Sequence, residues 1–331
     1  MPTMKDVAKK AGVSLGTVSN VLNHRDTVLP KNREKVLQAV AELGFRTNMA
    51  ARTLKTRVSN NIALILPDIC NPFYPELARG VEDAALRAGF TVFLCNNDRS
   101  IGKECAYIES LIQKNVSGMI LVKPQARVSD IVAQCAGMAI TFVDTDAPPS
   151  DGYNVVNVDD AGGIRLGMEH LWECGHRKIA FVGGLQESSS SANRQKAYAA
   201  FMRERALDTY PRYMVQGDYT WESGYRAAGM LMALESPPTA IFAANDLMAI
   251  GCMKALQENG ACVPGDVSVL GYDNIEMGML CAPSLTTIDQ PKYEMGAQSV
   301  EMLSRLAKGC PGSYVQLPTS LVIRGSVCNR T

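Results

Sequence analysis

Polar side chains stand directly after several short apolar runs of this sequence. Asp144, Asp159 and Asp273 each follow such a run, and the pair Asn245-Asp246 follows another. Carboxylates accept hydrogen bonds, and an amide both donates and accepts them. Brought together in a cleft, such groups would bind a small molecule through its hydroxyl or amide groups.

The motifs of the sequence do not predict catalysis. It holds no Gly-x-x-x-x-Gly-Lys-Ser/Thr loop and no His-Glu-x-x-His pair, and we expect no Gly-x-Ser-x-Gly nucleophile elbow. The three histidines lie far apart, and the ten cysteines form no Cys-x-x-Cys pair. This pattern indicates reduced thiols rather than disulfides or a zinc site. We therefore expect no catalytic residues, no metal and no cofactor.

From residue 61 onward, short apolar runs alternate with longer amphipathic stretches. The runs predict strands at residues 62–66, 91–95, 118–122, 139–143, 155–158, 178–182, 213–216, 240–243 and 267–270, and the stretches predict helices at 75–88, 102–113, 161–173, 193–204, 221–234 and 247–258. This alternation is typical of parallel sheets with helices on both faces. It occurs twice, around residues 62–158 and 162–285, so we predict an α/β core of two similar lobes. Ligands of such sheets bind beyond the carboxyl ends of the strands, where the polar residues stand.

Residues 4–23 predict two short helices joined by a tight turn. Gly12 stands where a left-handed cap ends the first helix, and Ser14 can cap the second. Apolar residues at helical spacing give each helix one buried face: Val7, Ala8 and Ala11 in the first, and Val18, Val21 and Leu22 in the second. This is the helix-turn-helix pattern, whose second helix enters the major groove of DNA.

A third helix is predicted over residues 30–44, and a short fourth helix over residues 48–56. Apolar residues line one face of the third helix: Val36, Leu37, Val40 and Leu43. The fourth is shorter than the ~12–15 residues at which an isolated helix becomes marginally stable. It should therefore be ordered only when something else holds it.

Charge is divided unevenly along the chain. The first 60 residues carry eleven basic and four acidic side chains, and because the whole chain is neutral, a net charge of +7 there leaves −7 on the remainder. A basic N-terminal segment followed by an acidic remainder favours a protein that binds DNA through its N-terminal segment. No stretch approaches the roughly 18 uncharged apolar residues of a membrane span. No apolar run follows the basic N-terminus as in a secretory signal, so we expect a cytoplasmic protein without membrane contact.

Several motifs together resemble the LacI/GalR family of bacterial transcription repressors. In the first 60 residues they are Lys5-Asp6-Val7-Ala8, Ala11-Gly12-Val13-Ser14, Thr17-Val18-Ser19 and Asn48-x-x-Ala51-Arg52-x-Leu54; further on they are Asn71-Pro72-Phe73, Gly175-His176-Arg177-Lys178-Ile179, Ala244-Asn245-Asp246-x-Met248-Ala249-x-Gly251, Gly271-Tyr272-Asp273 and Leu321-Val322-x-Arg324-x-Ser326. They span nearly the whole chain in the family's order. The resemblance implies a repressor whose affinity for a pseudo-palindromic operator depends on a small molecule held between two lobes.

The resemblance also implies a division of the chain. A helix-turn-helix headpiece would cover residues 1–47, a hinge helix and linker residues 48–58, and a two-lobed core like the periplasmic binding proteins residues 59–331. Crossings near residues 160, 288 and 321 would give an N-lobe of about 59–160 and 290–320, and a C-lobe of about 161–289 and 321–331. Two chains would form a homodimer. Since no heptad repeat follows Arg324, we expect no tetramer.

For the headpiece and hinge, the resemblance implies a set of DNA-contacting positions: Thr3, Ser14, Leu15, Gly16, Thr17, Ser19, Asn20, Asn23, Asn48, Ala51 and Leu54. Leu15, Gly16 and Asn20 fall on base-reading positions. Leu15 can make only apolar contacts, and Asn20 can bond an adenine edge. Gly16 replaces a longer side chain of the family and should discriminate poorly. Leu54 falls on the residue that paired hinge helices would wedge into the minor groove.

Some of these positions have alternatives or depart from the family's pattern. Thr17 and Ser19 could bond their own helix instead of phosphates. Thr47 stands where a proline usually precedes the hinge, so entry into that helix should be looser. Leu29 stands where a serine commonly caps the third helix, which removes one cap and one phosphate contact.

For the effector, the resemblance and the strand-end pattern give another set of positions: Phe73, Tyr74, Asp144, Ser188, Ser190, Arg194, Tyr219, Asn245 and Asp273. An aromatic ring there can stack on a sugar or a purine, and Arg194 with Asp273 suits adjacent hydroxyls or a polar ring edge. Ser188 stands where the family's purine pocket has a basic residue, unless the alignment slips by one residue within the serine run. We favour a neutral sugar or polyol, with a nucleobase-type corepressor as the alternative.

Other roles compete with these assignments. Core packing is the alternative for Phe73 and Tyr219, an ion pair is the alternative for Arg194, and helix capping is the alternative for Asp144. A cytosolic solute-binding protein and an α/β enzyme are the two other function classes. The basic headpiece argues against the first, and the missing catalytic motifs argue against the second.

Overall fold

Two separate units, Met1–Val58 and Ser59–Thr331, make up the chain. A computed structural model describes residues 2–22, 28–45, 59–207 and 212–331. The predicted hinge over residues 48–58 lies outside the described residues. The same is true of four of the predicted DNA-contacting positions: Asn23, Asn48, Ala51 and Leu54.

The described part of the first unit folds into α1 (Met4–Ala11), α2 (Leu15–Leu22) and α3 (Pro30–Leu43). Their caps are those that the sequence predicts. Gly12 and Gly44 end α1 and α3 with left-handed φ angles of 64° and 58°, and Ser14 Oγ accepts a hydrogen bond from the Thr17 backbone N at 3.0 Å. The three helices share one apolar cluster, in which the predicted residues of α1 and α2 lie.

The predicted apolar face of α3 is wrong at one position. Leu37 is 53% exposed, whereas Ala39 is buried with Val36. A helix turns by about 100° per residue, so Val40 and Leu43 return to the stripe that Val36 begins, and Ala39 lies at its edge beside Leu43. Leu37 lies about 100° from Val36, outside that stripe. Leu29 precedes α3 without a side-chain cap, as its apolar side chain predicts.

The second unit confirms the predicted α/β class. Its strands are β1 (Asn61–Leu66), β2 (Thr91–Asn96), β3 (Gly118–Val122), β4 (Ala139–Val143), β5 (Asn154–Val158), β6 (Ile179–Gly183), β7 (Met214–Gln216), β8 (Ala240–Ala243), β9 (Ser268–Asp273), β10 (Thr286–Asp289), β11 (Tyr314–Leu317) and β12 (Ser320–Val322). Its helices are α4 (Phe73–Ala88), α5 (Ile101–Gln113), α6 (Val128–Gln134), α7 (Asp160–Glu173), α8 (Ser189–Glu204), α9 (Trp221–Met232), α10 (Asp246–Glu258), α11 (Glu276–Leu280) and α12 (Lys292–Leu306).

The strands form two sheets with the orders β11-β5-β4-β3-β1-β2 and β12-β10-β9-β8-β6-β7. Pairing within both sheets is parallel, except that β12 runs antiparallel to β10. Successive strand residues face opposite sides of a sheet. Accordingly, Leu64 of β1 packs in one cluster with Leu77 of α4, and Ile65 packs in another with Ile108 of α5. Helices therefore cover both faces of the first sheet.

The chain passes from one sheet to the other three times, after β5, after β10 and after β11. We call the part built on the first sheet the N-lobe and the part built on the second sheet the C-lobe. The sequence analysis missed β10, β11, β12, α6, α11 and α12. It also placed the start of α8 at residue 193 rather than Ser189, because a run of serines resembles a loop, whereas Ser188 here caps the helix.

Two helix pairs approach each other closely through glycines. In the N-lobe, α4 and α12 meet at Gly80 and Gly296, and in the C-lobe, α9 and α10 meet at Gly224 and Gly251. At each of the four positions, a Cβ atom would overlap a backbone carbonyl oxygen of the facing helix. Each pair is thereby packed backbone to backbone, and its helices are fixed relative to one another.

Candidate effector cleft and DNA-reading helix

A small cavity lies between the two lobes at the carboxyl ends of the strands. Its volume is about 20 Å³, enough for about one water molecule. We call it the inner cavity. Its walls include seven of the predicted effector residues, Phe73, Tyr74, Asp144, Arg194, Tyr219, Asn245 and Asp273, together with Asn71, Lys123 and Gln290. In this conformation the side chains themselves fill the cleft.

Arg194 is buried beside the inner cavity and is only 2% exposed. Its Nε donates to Asp160 Oδ1 at 2.7 Å, and its Nη1 donates to the Ala244 carbonyl oxygen at 2.7 Å. The guanidinium lies over the Tyr272 ring, 3.7 Å from the ring centroid, and 3.9 Å from the Asp273 carboxylate. Arg194 therefore forms the ion pair that was its alternative role and also lines the cleft.

Two buried carboxyl groups, those of Asp273 and Asp246, have raised pKa values. Burial raises the pKa of Asp273 to about 6, and its Oδ1 accepts a hydrogen bond from Gln290 Nε2. Burial and the neighbouring Asp273 raise the pKa of Asp246 to about 8. Asp246 accepts a hydrogen bond from Thr287 Oγ1 at 2.5 Å and does not line the inner cavity. Asp246 thus joins α10 to β10, whereas Asp273 faces the cleft.

Lys123 enters the cleft from the N-lobe, directly after β3. Its Nζ lies 3.0 Å from the Asp144 carboxylate and donates to Ser190 Oγ of the C-lobe at 2.8 Å. The same atom lies 5.0 Å from the centroid of the Tyr219 ring. Burial lowers the pKa of Lys123, but Asp144 and nearby tyrosines outweigh it, so the pKa lies above its usual range. Lys123 is therefore a cation that touches both walls.

Sequence reasoning missed three residues of the inner cavity. Lys123 follows a predicted strand, so the strand-end pattern would have found it had cations been considered with acids and amides. Asn71 belongs to the Asn71-Pro72-Phe73 motif, and its Oδ1 accepts a hydrogen bond from the Phe73 backbone N. Gln290 follows β10, which the sequence analysis did not predict.

Several predicted effector residues also have structural roles. Asn245 caps α10 by accepting a hydrogen bond from the Met248 backbone N at 2.9 Å, and its Nδ2 donates to the Tyr219 carbonyl oxygen at 3.1 Å. Ser188 caps α8, and its Oγ lies 3.4 Å from the Tyr219 hydroxyl. Ser188 lines no part of the inner cavity, whereas Ser190 is reached by Lys123.

A larger cavity of about 380 Å³ adjoins the inner one, and we call it the outer cavity. Asp144 lines both. Other residues of the outer cavity include Ser190, Lys196 and Tyr314. Asp159 also lies there and caps α7 through the Gly162 backbone N at 2.9 Å.

Unusual backbone conformations gather around the inner cavity. Lys123, Asp144, Tyr219 and Asp273 have φ angles of 49°, 56°, 69° and 117°. Residues with a side chain rarely adopt positive φ, and such strain is concentrated at functional sites. The four residues come from different strands or loops of both lobes, so the strain marks the cleft rather than one segment.

In the first unit, α2 presents an uncharged surface to solvent. Leu15 is 45% exposed and Gly16 is exposed, while Thr17, Ser19 and Asn20 are half-buried. Thr17 Oγ1 lies 2.9 Å from Ser14 Oγ, so its alternative role within the helix is present. The stretch Gly12-Val13-Ser14-Leu15-Gly16 matches the Gly-x-Ser-x-Gly pattern of hydrolases. That pattern requires a strand before the serine, whereas a helix precedes it here.

Thr3 caps α1 in a reciprocal arrangement with Asp6. The Thr3 backbone N donates to Asp6 Oδ2 at 2.7 Å, and Thr3 Oγ1 accepts from the Asp6 backbone N at 3.4 Å. This capping box fixes the start of the headpiece. Among the described residues, no group of three histidine, cysteine or acidic side chains could hold a metal ion, and no helix is long and apolar enough to cross a membrane.

Comparisons with known proteins agree with this geometry. The chain matches the description "Bacterial regulatory proteins, lacI family" over residues 3–48 and "Periplasmic binding protein-like domain" over residues 168–327. The ribose operon repressor of Halalkalibacterium halodurans is 37% identical, over 98% of this chain and 96% of its own. Catabolite control protein A of Priestia megaterium is 34% identical over 98% of both chains.

A solved Lac repressor dimer, bound to operator and the anti-inducer ONPF, has a TM-score of 0.90 at 32% identity and covers 99% of each chain. The chain therefore belongs to the LacI family of bacterial regulatory proteins. Its relatives are transcription repressors, a non-enzymatic class whose partners are operator DNA, a small-molecule effector and a second copy of the chain. The predicted family, fold class, regulator function and partners are confirmed.

Proposed function

We propose that this chain represses transcription in the cytoplasm and that a neutral sugar or polyol in the inner cavity controls its affinity for operator DNA. The balance of charge in the cleft carries the proposal. Lys123 is paired with Asp144, and Arg194 is paired with Asp160. An anionic effector would face Asp144 and Asp273, and a cationic one would face Lys123 and Arg194. A neutral molecule with many hydroxyl groups can use both kinds of partner.

Other features support a hydroxylated effector over a nucleobase. Ser188 and Ser190 place hydroxyl groups rather than a basic side chain at the start of α8. Phe73 and Tyr74 form an edge-to-face pair with ring centroids 5.2 Å apart, which offers an apolar surface to one side of a sugar ring. One relative is named for the ribose operon. A nucleobase-type corepressor remains the alternative.

On the DNA side, α2 reads the operator in the major groove. Leu15 contacts a thymine methyl group and Asn20 an adenine edge, whereas Gly16 adds no contact of its own. Thr17 and Ser19 fix the helix against phosphates, and Leu54 from each hinge enters the minor groove at the operator centre. The division into residues 1–47, 48–58 and 59–331 follows from these roles.

A second copy of the chain covers two exposed apolar surfaces of the core. One lies on the N-lobe near the edge strand β2, and the other lies on the C-lobe around α11. Their exposed residues are Leu86, Phe93, Leu94 and Ile101 on the N-lobe, and Met277, Met279, Leu280 and Ile323 on the C-lobe. Exposed apolar surface of this kind favours association. The operator-bound Lac repressor structure is a dimer.

A thermal-shift screen of the full chain tests the effector class. The panel contains monosaccharides, disaccharides, polyols, sugar phosphates and nucleobases. A compound that binds only the folded state, at 100 times its Kd, adds about 2.7 kcal/mol to the free energy of unfolding. Asp273→Asn should lose the response, and Asp151→Asn, at an exposed position that lines neither cavity, should keep it.

The result divides the possibilities as follows. Stabilisation by a neutral sugar or polyol that also changes operator affinity supports the proposal. Stabilisation by a nucleobase alone replaces it with the corepressor alternative. No response to any compound, with operator binding intact, removes the inner cavity as the effector site.

A further inference from the structure

Lys123 connects the two lobes across the cleft. Its side chain belongs to the N-lobe, but its Nζ donates to Ser190 of the C-lobe at 2.8 Å and lies near the ring face of Tyr219. An ammonium group has three donors. One of them faces Asp144 at 3.0 Å, and a second is donated to Ser190 on the opposite wall. An ion pair that served only to stabilise the N-lobe would not require these contacts across the cleft.

The groups that Lys123 contacts are those that a hydroxylated ligand would use. Asp144 is an acceptor, Ser190 both accepts and donates, and the Tyr219 ring can lie against an apolar face. With Lys123 in place, the inner cavity retains a volume of only about 20 Å³. A sugar therefore cannot enter until the lysine side chain leaves or the lobes separate.

We propose that Lys123 is an internal occupant of the effector cleft, which holds the two lobes together and which the effector must displace. This inference rests on the proposed effector site. The side chain thereby sets specificity, because a ligand that displaces it must supply hydroxyl donors to Asp144 and Ser190 in its place. A ligand that lacks such donors leaves Asp144 buried without a partner, which is unfavourable.

The outer cavity has room for the displaced ammonium group of Lys123. Asp144 and Ser190 line this cavity of about 380 Å³, so Lys123 can turn toward it as the hydroxyl groups of the ligand take its place on Asp144 and Ser190. Asp144, the ion-pair partner of Lys123, lines both cavities, so the ammonium group lies where the two cavities adjoin.

Amide hydrogen exchange of the full chain, followed by mass spectrometry without effector or DNA, tests the inference. Lys123→Met removes the ammonium but keeps an unbranched side chain. Exchange in the segments on the two walls, residues 122–126 and 188–194, should become roughly tenfold faster, as expected on losing a charge-assisted contact. Lys196→Met makes the same change at an exposed lysine of the outer cavity and should leave exchange unchanged.

Two further variants distinguish the loss of this contact from a general loss of stability. Lys123→Arg restores a cation and should return exchange to that of the native chain. Ser190→Ala removes the acceptor on the opposite wall, together with its contact to Ser188 Oγ, and should accelerate exchange in the same segments, by less than Lys123→Met.

Native exchange in Lys123→Met overturns the inference. So does acceleration that is equal in β1 and β8, because it would show that the lysine stabilises the fold rather than the closed cleft. Neither result bears on the effector screen, which is read from thermal stability and operator affinity. The two proposals can therefore fail separately.

Discussion

Helix α2 exposes Leu15 and Gly16 to solvent, whereas the inner cavity buries its charged side chains against one another. No residue of α2 is charged, and Leu15 and Gly16 face outward. In the cleft, none of the side chains of Lys123, Arg194 and Asp144 is more than 19% exposed. The headpiece can thus meet DNA without breaking internal contacts, while an effector must exchange internal contacts for its own.

This difference explains how one chain can serve two ligands. DNA affinity comes mainly from the basic charge of the first 60 residues and from surface contacts, so it responds to salt. An effector changes that affinity only if it binds one arrangement of the lobes better than another. A cleft already closed by its own side chains provides two such arrangements, one before and one after displacement.

The largest expected effect comes from a substitution in the cleft that leaves the headpiece unchanged. Arg194→Ala leaves Asp160 buried and unpaired, and it should lower the free energy of unfolding by about 3–5 kcal/mol in urea denaturation. It should also abolish any effect of the effector on operator affinity. Arg165→Ala removes an exposed arginine paired with Glu169 and Glu204, and should cost about 1 kcal/mol or less. Equal losses in the two variants would contradict the role of Arg194.

The next largest expected effect is on operator binding and not on the effector cleft. Leu54→Ala should weaken operator binding roughly 10–100-fold, because the leucine compensates for unstacking of the central bases. Binding to unrelated DNA, which depends on charge, should change little. Gel-shift titrations on both DNAs at one salt concentration measure this difference, and equal losses on the two would refute the wedge role.

Measuring the free energy of unfolding over a range of pH tests the buried Asp273 of the cleft. The folded pKa of Asp273, about 6, lies above the usual value of 3.8, so its contribution to stability is full below pH 3.8 and lost as pH rises through about 6. Asp273→Asn does not titrate. Its free energy of unfolding, minus that of the native chain, should increase by roughly 1–3 kcal/mol between pH 4 and pH 7.

Asp218→Asn is the matched control for this series. Burial raises the pKa of Asp218, but hydrogen bonds from Thr220 and Ser223 outweigh it and hold the pKa below the usual value. The contribution of Asp218 is therefore present above that value and lost at lower pH. Between pH 4 and pH 7 the difference between Asp218→Asn and the native chain should therefore stay nearly constant, and it should change in the opposite direction only below about pH 4. Parallel slopes for the two variants would contradict the assignment.

The smallest effect tests the reading face. Gly16→Ala should stabilise the helical headpiece by ~0.5–1 kcal/mol, because alanine favours helix more than glycine does. A Cβ on Gly16 would lie 3.7 Å from Ser14 Oγ, an ordinary contact distance. Circular dichroism melts of the full chain measure the gain. A loss of stability would show that Gly16 is needed for the turn itself.

The sequence predicted the strands well where apolar runs were bounded by polar residues. Residues 118–122, 139–143 and 240–243 match β3, β4 and β8 at both ends. The strands β10, β11 and β12 were missed because polar residues open or interrupt them, as in Thr-Thr-Ile-Asp, Tyr-Val-Gln-Leu and Ser-Leu-Val, whereas the equally short β8 is the unbroken apolar run Ala-Ile-Phe-Ala.

The cleft was predicted in part for a related reason. Six of its seven predicted residues lie within a few positions of a strand end or a family motif, and Arg194 was assigned through the family resemblance alone. Lys123 has its role only through Ser190 and Tyr219, which lie 67 and 96 positions away in sequence. A contact at that separation depends on how the two lobes close, which no local pattern encodes.

The close glycine contacts of the two helix pairs have a genetic consequence. Every missense change in a glycine codon introduces a Cβ, so no such change can spare Gly80, Gly224, Gly251 or Gly296. A collection of randomly generated alleles that have lost regulation should contain these four codons alongside those of the headpiece. Such alleles would change positions that contact neither DNA nor effector. Their defect would lie in the packing of two helices within one lobe.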